Sequence, residues 1–110
     1  MSDARKMRIP DSGDVVHLGG AIADYAVVLT PEAFHRQVGY AWVAPIEPNC
    51  MKHPLEVSLE AMEHRGAIQT QRVTHVDVTE RMPRVIATVP PRVMEQLRSQ
   101  IGTVLGIASK

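Results

Sequence analysis

The sequence is poor in the features that mark the commonest catalytic and binding classes. It has 1 cysteine, so no internal disulfide can form, and Cys50 has no cysteine or histidine spacing typical of a metal site. Aromatic residues make up 4% of the chain, too few for the stacking surface of many single-strand binders. No P-loop, nucleophile elbow or zinc-protease motif is present. Function must therefore be sought in individual side chains and in the order of the segments.

The chain also lacks an excess of charge and any long apolar run. Its 12 basic and 12 acidic residues cancel. A domain that neutralises many phosphates usually carries a basic excess, so any site for a polyanion must be local. No apolar run reaches the roughly 18 residues of a membrane span, and the first segment lacks the apolar stretch of a signal peptide. We therefore expect a cytoplasmic protein.

The residues that are present fit one small globular domain. Of the 110 residues, 45% are hydrophobic and 22% are charged. This length suffices for one core and is too short for two domains. We expect the domain to span residues 1–110, with the polar and basic residues 1–8 flexible before the first strand.

Short β-branched segments, separated by glycine and proline, predict a mainly β fold. The strand candidates are residues 13–18, 25–30, 40–46, 55–59, 66–77 and 85–87. Residues 66–77 are predicted to form one continuous strand with one wet side. Thr30 before Pro31 predicts an N-cap and a helical turn over residues 31–36.

Only the C-terminal segment has a clear helical pattern. After Pro91, apolar residues recur at helical spacing and form a stripe: Val93, Leu97, Ile101, Val104 and Leu105. Gly106 is expected to end this helix. Strands in series followed by one amphipathic helix predict a small β-barrel or curled sheet that buries the helix against one face.

Two histidines lie where strands are expected to meet loops. His17 ends the first strand candidate beside a glycine pair, where its ring can face a cleft and transfer protons. His53 falls in an irregular stretch, and such segments often carry function. A lone histidine at such a position is more often a surface or structural residue than a catalytic one.

Polar residues also alternate along the longest strand candidate. Gln69 and Gln71 share one face of an extended strand, and Thr70 and Arg72 share the other. Amide groups beside an arginine can bind bases or the backbone of a partner. The same row is typical of a sheet face in contact with water, so both interpretations stay open.

The order of the segments is more specific than the composition. The chain runs through RIPDSGDVVHL, YAVVLTPEAFHR, GYAWVAPI, HPLEVSL, RGAIQTQRVTHVD and TVPPRVMEQLRSQIGTVLGI. The most specific pieces are Gly13-Asp14, Thr30-Pro31 with Phe34 following, Ala44-Pro45-Ile46, and Thr88-Val89-Pro90. From about Arg8 to Ile107, the sequence resembles the MazF/PemK family of toxin-antitoxin toxins.

This resemblance implies an SH3-like small β-barrel with a short helical turn and a C-terminal amphipathic helix. It implies a homodimer, neutralised by an acidic antitoxin whose partly disordered tail covers the active groove. It also implies a growth inhibitor that cuts single-stranded mRNA without a metal or other cofactor. In such cleavage the ribose 2′-hydroxyl attacks phosphorus, which requires a base, an acid and a cation.

Three positions depart from the pattern of the family. Members usually carry an Arg-Pro pair before the second strand, where this chain has Asp24-Tyr25 after a shorter loop. They usually carry a threonine shortly after the proline of the third strand, where this chain has Glu47. Gln69 and Gln71 stand where some members carry an arginine and an aspartate, and a glutamine neither transfers protons nor neutralises phosphate.

Other residues near the implied groove can replace the missing groups. We predict that Arg72 supplies the charge and that His17 and Glu47 transfer protons, with His53 as a further candidate. Glu47 needs a raised pKa to act as an acid near neutrality. The residues predicted to bind substrate are Asp24, Asn49, His53, Gln69 and Gln71.

Two functions without catalysis remain open. A member of this family can act by binding a protein, for example DNA gyrase, as the fold-related CcdB toxins do. Alternatively, an inactive member can regulate by titrating an antitoxin. The neutral charge fits both slightly better, because a ribonuclease gains association rate from a positive groove.

Overall fold

The computed structural model describes residues 8–20, 23–48, 55–58, 66–79 and 83–107. These ranges contain seven strands, two helices and one 3-10 turn. The strands are β1 (Asp14–His17), β2 (Tyr25–Val28), β3 (Tyr40–Glu47), β4 (Glu56–Ser58), β5 (Ala67–Gln69), β6 (Thr74–Asp77) and β7 (Arg84–Thr88). The helices are α1 (Glu32–Val38) and α2 (Pro91–Val104), and the 3-10 turn is Thr70–Arg72.

The strands form one antiparallel sheet in the order β4-β5-β3-β2-β1-β7, and β6 also pairs with β3. This arrangement confirms the predicted mainly β, SH3-like architecture with a C-terminal helix. Within the described residues, no strand pairing joins β4 to β7, so the sheet is open rather than a fully closed barrel.

The prediction of one continuous strand over residues 66–77 was wrong. The 3-10 turn Thr70–Arg72 separates β5 from β6, and both strands pair with the same edge of β3. β5 pairs with Ile46 and Glu47, and β6 pairs with residues 40–43. The break faces Ala44 and Pro45, and proline has no N–H for a ladder hydrogen bond. The side chains of the turn therefore do not alternate between the two faces of the sheet, as those of a strand do.

The predicted N-cap of the first helix was also wrong. Helix α1 has Pro31 at its N-cap, without a side-chain cap of its own. The N–H of Glu32 instead donates to Oδ1 of Asp11, 2.9 Å away and 21 residues earlier in the chain. Thr30 is not the cap because its hydroxyl is hydrogen-bonded to the ring of His35.

Two apolar clusters lie on the two faces of the sheet. Helix α2 packs Val93, Met94 and Leu97 against the first cluster, which includes Val15 and Ile68. The second cluster lies on the other face, since successive strand residues point to opposite sides. Full burial of an aliphatic side chain such as Leu97 contributes about 1.5–3 kcal/mol.

The apolar stripe of α2 is only partly covered in the single chain. Leu97 is fully buried and Ile101 is half-buried, whereas Val104 and Leu105 are 58% and 59% exposed. The expectation that the whole stripe packs against the sheet therefore holds only for its first half. Neither helix of the described ranges is long and apolar enough to span a membrane.

Candidate functional site

Glu47 and Arg72 form an ion pair at one end of the sheet. Nη1 of Arg72 donates to Oε2 of Glu47 at 2.9 Å. Glu47 is the last residue of β3, and Arg72 is the last residue of the 3-10 turn. Their side chains are 29% and 48% exposed, so both reach solvent. The pairing with β5 holds the end of β3 beside the turn, and this places the carboxylate next to the guanidinium.

Gly66 fixes the backbone below this ion pair. Its φ of 142° lies in a region that other residues avoid. A Cβ at this position would overlap the backbone carbonyl of Glu47. Glycine at position 66 therefore allows the chain to pass close to the backbone of Glu47, at the end of β3.

A chain of hydrogen bonds runs beside the ion pair, from Glu56 through Gln69 to Gln71. Nε2 of Gln69 donates to Oε2 of Glu56 at 2.8 Å, and to the carbonyl of Ala67 at 3.3 Å. Nε2 of Gln71 donates to Oε1 of Gln69 at 2.8 Å. Gln69 is fully buried, whereas Gln71 is exposed. The buried amide thus connects a carboxylate on β4 to an exposed amide on the turn.

The strand residues of the ion pair and of the hydrogen-bonded chain, Glu47, Gln69 and Glu56, lie on the same face of the sheet. Glu47 pairs with Ala67, and Gln69 pairs with Glu56, in the registers of the β3/β5 and β4/β5 ladders. Paired residues, and residues two apart on one strand, point to the same side. The carboxylate of Glu47 and the amide of Gln69 therefore project from the same side of the sheet.

A cleft of about 480 Å³ lies between the turn and the last turns of α2. Thr70, Gln71 and Arg98 provide its polar edge, and Trp42, Ile101 and Leu105 belong to its apolar wall. The hydroxyl of Thr70 is buried and has no hydrogen-bond partner among the described residues. The cleft therefore offers a large apolar surface with a small polar edge.

Comparisons with known proteins identify the family. A family model described as PemK-like, MazF-like toxin of type II toxin-antitoxin system matches residues 22–105. The chain belongs to this family. The expected MazF/PemK resemblance is thereby confirmed. Comparison with curated proteins gives no match.

Solved structures of MazF support the assignment. MazF from Deinococcus radiodurans is 25% identical, with a TM-score of 0.80, over 90% of this chain and 98% of that chain. A MazE-MazF structure from the same organism is 27% identical, with a TM-score of 0.78, over 90% and 97% of the two chains. An endoribonuclease in complex with its cognate antitoxin, from mycobacterial species, is 14% identical, with a TM-score of 0.76, over 94% and 100%. This last likeness shows the shared fold.

His17 lies apart from the ion pair of this PemK/MazF family member. It pairs with Tyr25 across β1 and β2, and Tyr25 pairs with Ile46 on β3. The rings of His17 and Tyr25 are 5.2 Å apart between centroids. Two strand spacings, about 10 Å, separate His17 from the end of β3. Glu47 follows Ile46 and points to the opposite face, so no described contact joins it to His17.

The remaining predicted residues divide into two groups. Asp24 is exposed at the start of β2, and its backbone carbonyl accepts a hydrogen bond of 2.8 Å from the N–H of Leu18. This bond closes the turn between β1 and β2. Asn49 and His53 lie outside the described residues.

His35 is a buried residue that the sequence analysis did not single out. It is 0% exposed, and its Nδ1 and Nε2 lie 2.8 Å from the carbonyl of Pro10 and 2.7 Å from the hydroxyl of Thr30. A carbonyl only accepts, so Nδ1 carries the proton and Nε2 accepts from Thr30. The Thr30 oxygen in turn accepts from the N–H of Trp42 at 3.1 Å. His35 thus joins the N-terminal segment, α1 and β3.

Asp11 and Asp14 anchor the same N-terminal segment. The backbone N–H of Glu32 donates to Asp11 and holds the pKa of that carboxyl below its usual value of 3.8, an effect that partial burial opposes. The Asp14 carboxylate is buried and accepts from Arg8 at 3.0 Å and Thr88 at 3.1 Å. These acidic groups are structural, since their acceptors are used within the fold.

Proposed function

We propose that this family member is a growth-inhibiting toxin that cuts single-stranded mRNA, with Arg72 and Glu47 at the centre of its site. The observation that carries the proposal is their ion pair, which lies beside the 3-10 turn that provides the polar edge of the cleft. The net charge of the chain is zero, so a local cation has to supply the attraction for phosphate. Arg72 and Arg98 are such cations.

The chemistry requires three groups around one phosphate. The 2′-oxygen forms a bond to phosphorus and loses its proton to a base, while the bond from phosphorus to the 5′-oxygen breaks and an acid protonates that oxygen. The products are a 2′,3′-cyclic phosphate and a 5′-hydroxyl. We assign Arg72 to the charge that develops on the phosphoryl oxygens, because a guanidinium can donate two hydrogen bonds to them. Glu47 is assigned to the proton transfer from the 2′-oxygen, because it lies within 2.9 Å of Arg72.

The position of each group limits its part in this scheme. Glu47 is close enough to Arg72 for both to reach one phosphate. His17, the other residue predicted to transfer protons, lies about two strand spacings away and points to the opposite face of the sheet, so it does not share one phosphate with Glu47 and Arg72. We propose that the neighbouring nucleotides are bound by Asp24, Asn49, His53 and Gln71. Gln69 is buried, so it acts on a bound strand through Gln71.

We also propose that the chain forms a homodimer through the apolar wall of the cleft. Trp42, Val104 and Leu105 are between 44% and 59% exposed, and Ile107 is 76% exposed. Clustered exposure of large apolar side chains favours a covered face. Two copies with zero net charge have no overall repulsion to overcome. The polar edge of the cleft then lies beside the interface.

An acidic antitoxin is the proposed partner that neutralises the toxin. The matched family consists of toxins of type II toxin-antitoxin systems. Arg98 on the polar edge of the cleft, and Arg72 on the adjoining 3-10 turn, give an acidic segment two cations to pair with. Occupation of these arginines by carboxylates blocks the binding of phosphate.

Cleavage of a mixed-sequence RNA tests the proposed function. We expect the purified protein to cut it, and we expect Arg72→Ala and Glu47→Ala to reduce the rate by at least about a hundredfold. His17→Ala is tested beside them, and Glu95→Ala on the exposed face of α2 is the control. Cleavage that is indifferent to Arg72 and Glu47 would overturn the assignment of the site.

Expression in cells separates the alternatives. Growth arrest without RNA cleavage would favour a protein target such as DNA gyrase. Unaffected growth together with binding to an antitoxin would favour the regulator that titrates it. Growth arrest that disappears with Arg72→Ala supports the ribonuclease.

A further inference from the structure

The direction of the Gln69 amide is dictated by the groups around it. Its one end faces Oε2 of Glu56 and the carbonyl oxygen of Ala67, at 2.8 and 3.3 Å. A carbonyl only accepts hydrogen bonds, and so does an ionised carboxylate. The amide nitrogen must therefore occupy this end, and the oxygen Oε1 must point the other way.

Gln71 inherits its direction from Gln69. The buried Oε1 of Gln69 is an acceptor, so the atom of Gln71 at 2.8 Å from it must be the donor Nε2. With the nitrogen turned inward, Oε1 becomes the outer atom of the exposed Gln71 amide. Gln71 also lies at the polar edge of the cleft. A carboxylate on β4, together with the carbonyl of Ala67, thus determines which hydrogen-bonding atom the turn offers to a ligand.

We propose that Glu56 is a positioning residue that gives the site a preference for a base with an outward amino group. The proposal rests on the proposed function, since it concerns how a bound RNA strand is read. An outward carbonyl oxygen accepts from the amino group of cytosine and opposes the carbonyl that uracil carries in its place. Cytosine and uracil differ only in this group and in the proton at N3, and they form the most direct comparison.

Glu56→Gln weakens the control that position 56 has over the direction of the hydrogen bonds from Gln69 to Gln71. A glutamine at position 56 can donate to Gln69 as well as accept, so only the longer contact with the carbonyl of Ala67, at 3.3 Å, still favours one orientation of Gln69, and the reversed orientation becomes populated. Gln71 then offers either its oxygen or its nitrogen. We expect the preference for cytosine over uracil, about tenfold in the unaltered protein, to fall to about twofold or less.

Two further variants keep the test independent of folding. Gln71→Leu alters an exposed side chain and should abolish the same preference; because it also removes the donor to the buried Oε1 of Gln69, its folding is checked by urea unfolding. Glu95→Gln makes the same chemical change as Glu56→Gln on the exposed surface of α2, and it should leave the preference unaltered. The preference is measured by sequencing the ends of cleaved RNA and by competition between oligonucleotides that differ at one cytosine or uracil.

Side-chain amide NMR tests these hydrogen bonds without reference to RNA. Glu56→Gln should change the chemical shifts of the Nε2 protons of both Gln69 and Gln71. Unchanged shifts for Gln71 would show that Glu56 does not act on Gln71 through Gln69, and would overturn the inference. If the unaltered protein, Glu56→Gln and Gln71→Leu all cut RNA with the same preference between cytosine and uracil, the inference is wrong and the proposed function still holds. If the unaltered protein cuts no RNA, the proposed function fails. The inference is then decided by binding of non-cleavable 2′-deoxy oligonucleotides, where equal discrimination by the unaltered protein and Glu56→Gln overturns it.

Discussion

Arg72 donates to Glu47 across 2.9 Å, so the cation and the carboxylate proposed for two parts of one reaction are bound to each other. The phosphate of an incoming strand has to compete with Glu47 for this guanidinium. The pair is partly exposed, and such pairs contribute only about 0–1 kcal/mol to stability. Competition of this size is easily overcome by a phosphate group, so the ion pair weakens binding without preventing it.

Glu47→Gln should therefore strengthen the binding of a non-cleavable single strand. We expect affinity to rise about three- to tenfold at low salt, because Arg72 is no longer neutralised by its neighbour. Cleavage of RNA should fall in the same variant if Glu47 transfers a proton. Fluorescence anisotropy measures the first effect and single-turnover kinetics the second. Glu95→Gln changes the charge equally at a distant surface, and an equal gain in affinity there would contradict the role of the ion pair.

His35→Phe should destabilise the fold by about 2–4 kcal/mol. The variant leaves the carbonyl of Pro10 and the hydroxyl of Thr30 without their present partner, and buried polar groups without partners are costly. Urea unfolding measures the loss. His75→Phe is the matched control, because His75 is exposed and its ring contacts that of Tyr40 in a tilted arrangement, with centroids 5.1 Å apart. Equal losses in the two variants would show that the buried hydrogen bonds of His35 contribute little.

Asp11→Asn should make the free energy of unfolding depend less steeply on pH under acid conditions. The backbone N–H of Glu32 holds the pKa of Asp11 below 3.8 in the folded chain. The Asp11 carboxylate therefore binds a proton less readily in the folded state than in the unfolded state. The resulting stability is present above the ordinary pKa of 3.8 and is lost as pH falls through the lowered folded value. Urea unfolding from about pH 5 down to about pH 2.5 measures this slope. An unaltered slope in Asp11→Asn, with Asp24→Asn as the exposed control, would remove Asp11 as a source of acid sensitivity.

Leu105→Glu should convert the proposed dimer into a monomer. Leu105 is 59% exposed in the single chain, so a charge there costs the isolated fold less than about 0.5 kcal/mol, whereas the same charge in an apolar interface is unpaired. Sedimentation velocity measures the assembly state. Gln96→Glu adds the same charge at another exposed position of α2 and should remain dimeric. An unaltered protein that sediments as a monomer would end the proposal of this interface.

Gly66→Ala should cost more stability than Gly19→Ala. Both glycines have positive φ, 142° and 73°, so both substitutions strain the backbone. Only the Cβ at position 66 would meet the carbonyl of Glu47, whereas nothing lies within 4 Å of a Cβ at position 19. We expect a difference of at least about 1 kcal/mol in urea unfolding, together with reduced cleavage of RNA. Equal effects would mean that the end of β3 adjusts freely.

The secondary structure was predictable wherever the pattern of side chains is local. Alternation of apolar and polar residues identified the strands, and the stripe beginning at Val93 identified α2. The order of the segments also identified the family, because that order is a property of the linear chain. The break at residues 70–72 escaped prediction because it depends on which part of β3, on either side of Pro45, each half of the segment meets.

The candidate site was predictable only in part. The sequence singled out Glu47 and Arg72, and the structure brought them together, although 25 residues separate them in the chain. It also singled out His17, which the strand register places on another face. Glu56 and His35 carried no local signal, since a glutamate on a wet strand and a lone histidine are common in any small domain.

Apart from the break at residues 70–72, the amino-acid sequence by itself determined the strands, the final helix and the family, because these follow from the spacing of side chains along one chain. The tertiary structure alone decided that Asp11 caps α1, that Glu47 pairs with Arg72, and that Glu56 orients Gln71 through Gln69. Hydrogen bonds and ion pairs act over about 3 Å, and only folding brings such distant residues within that range.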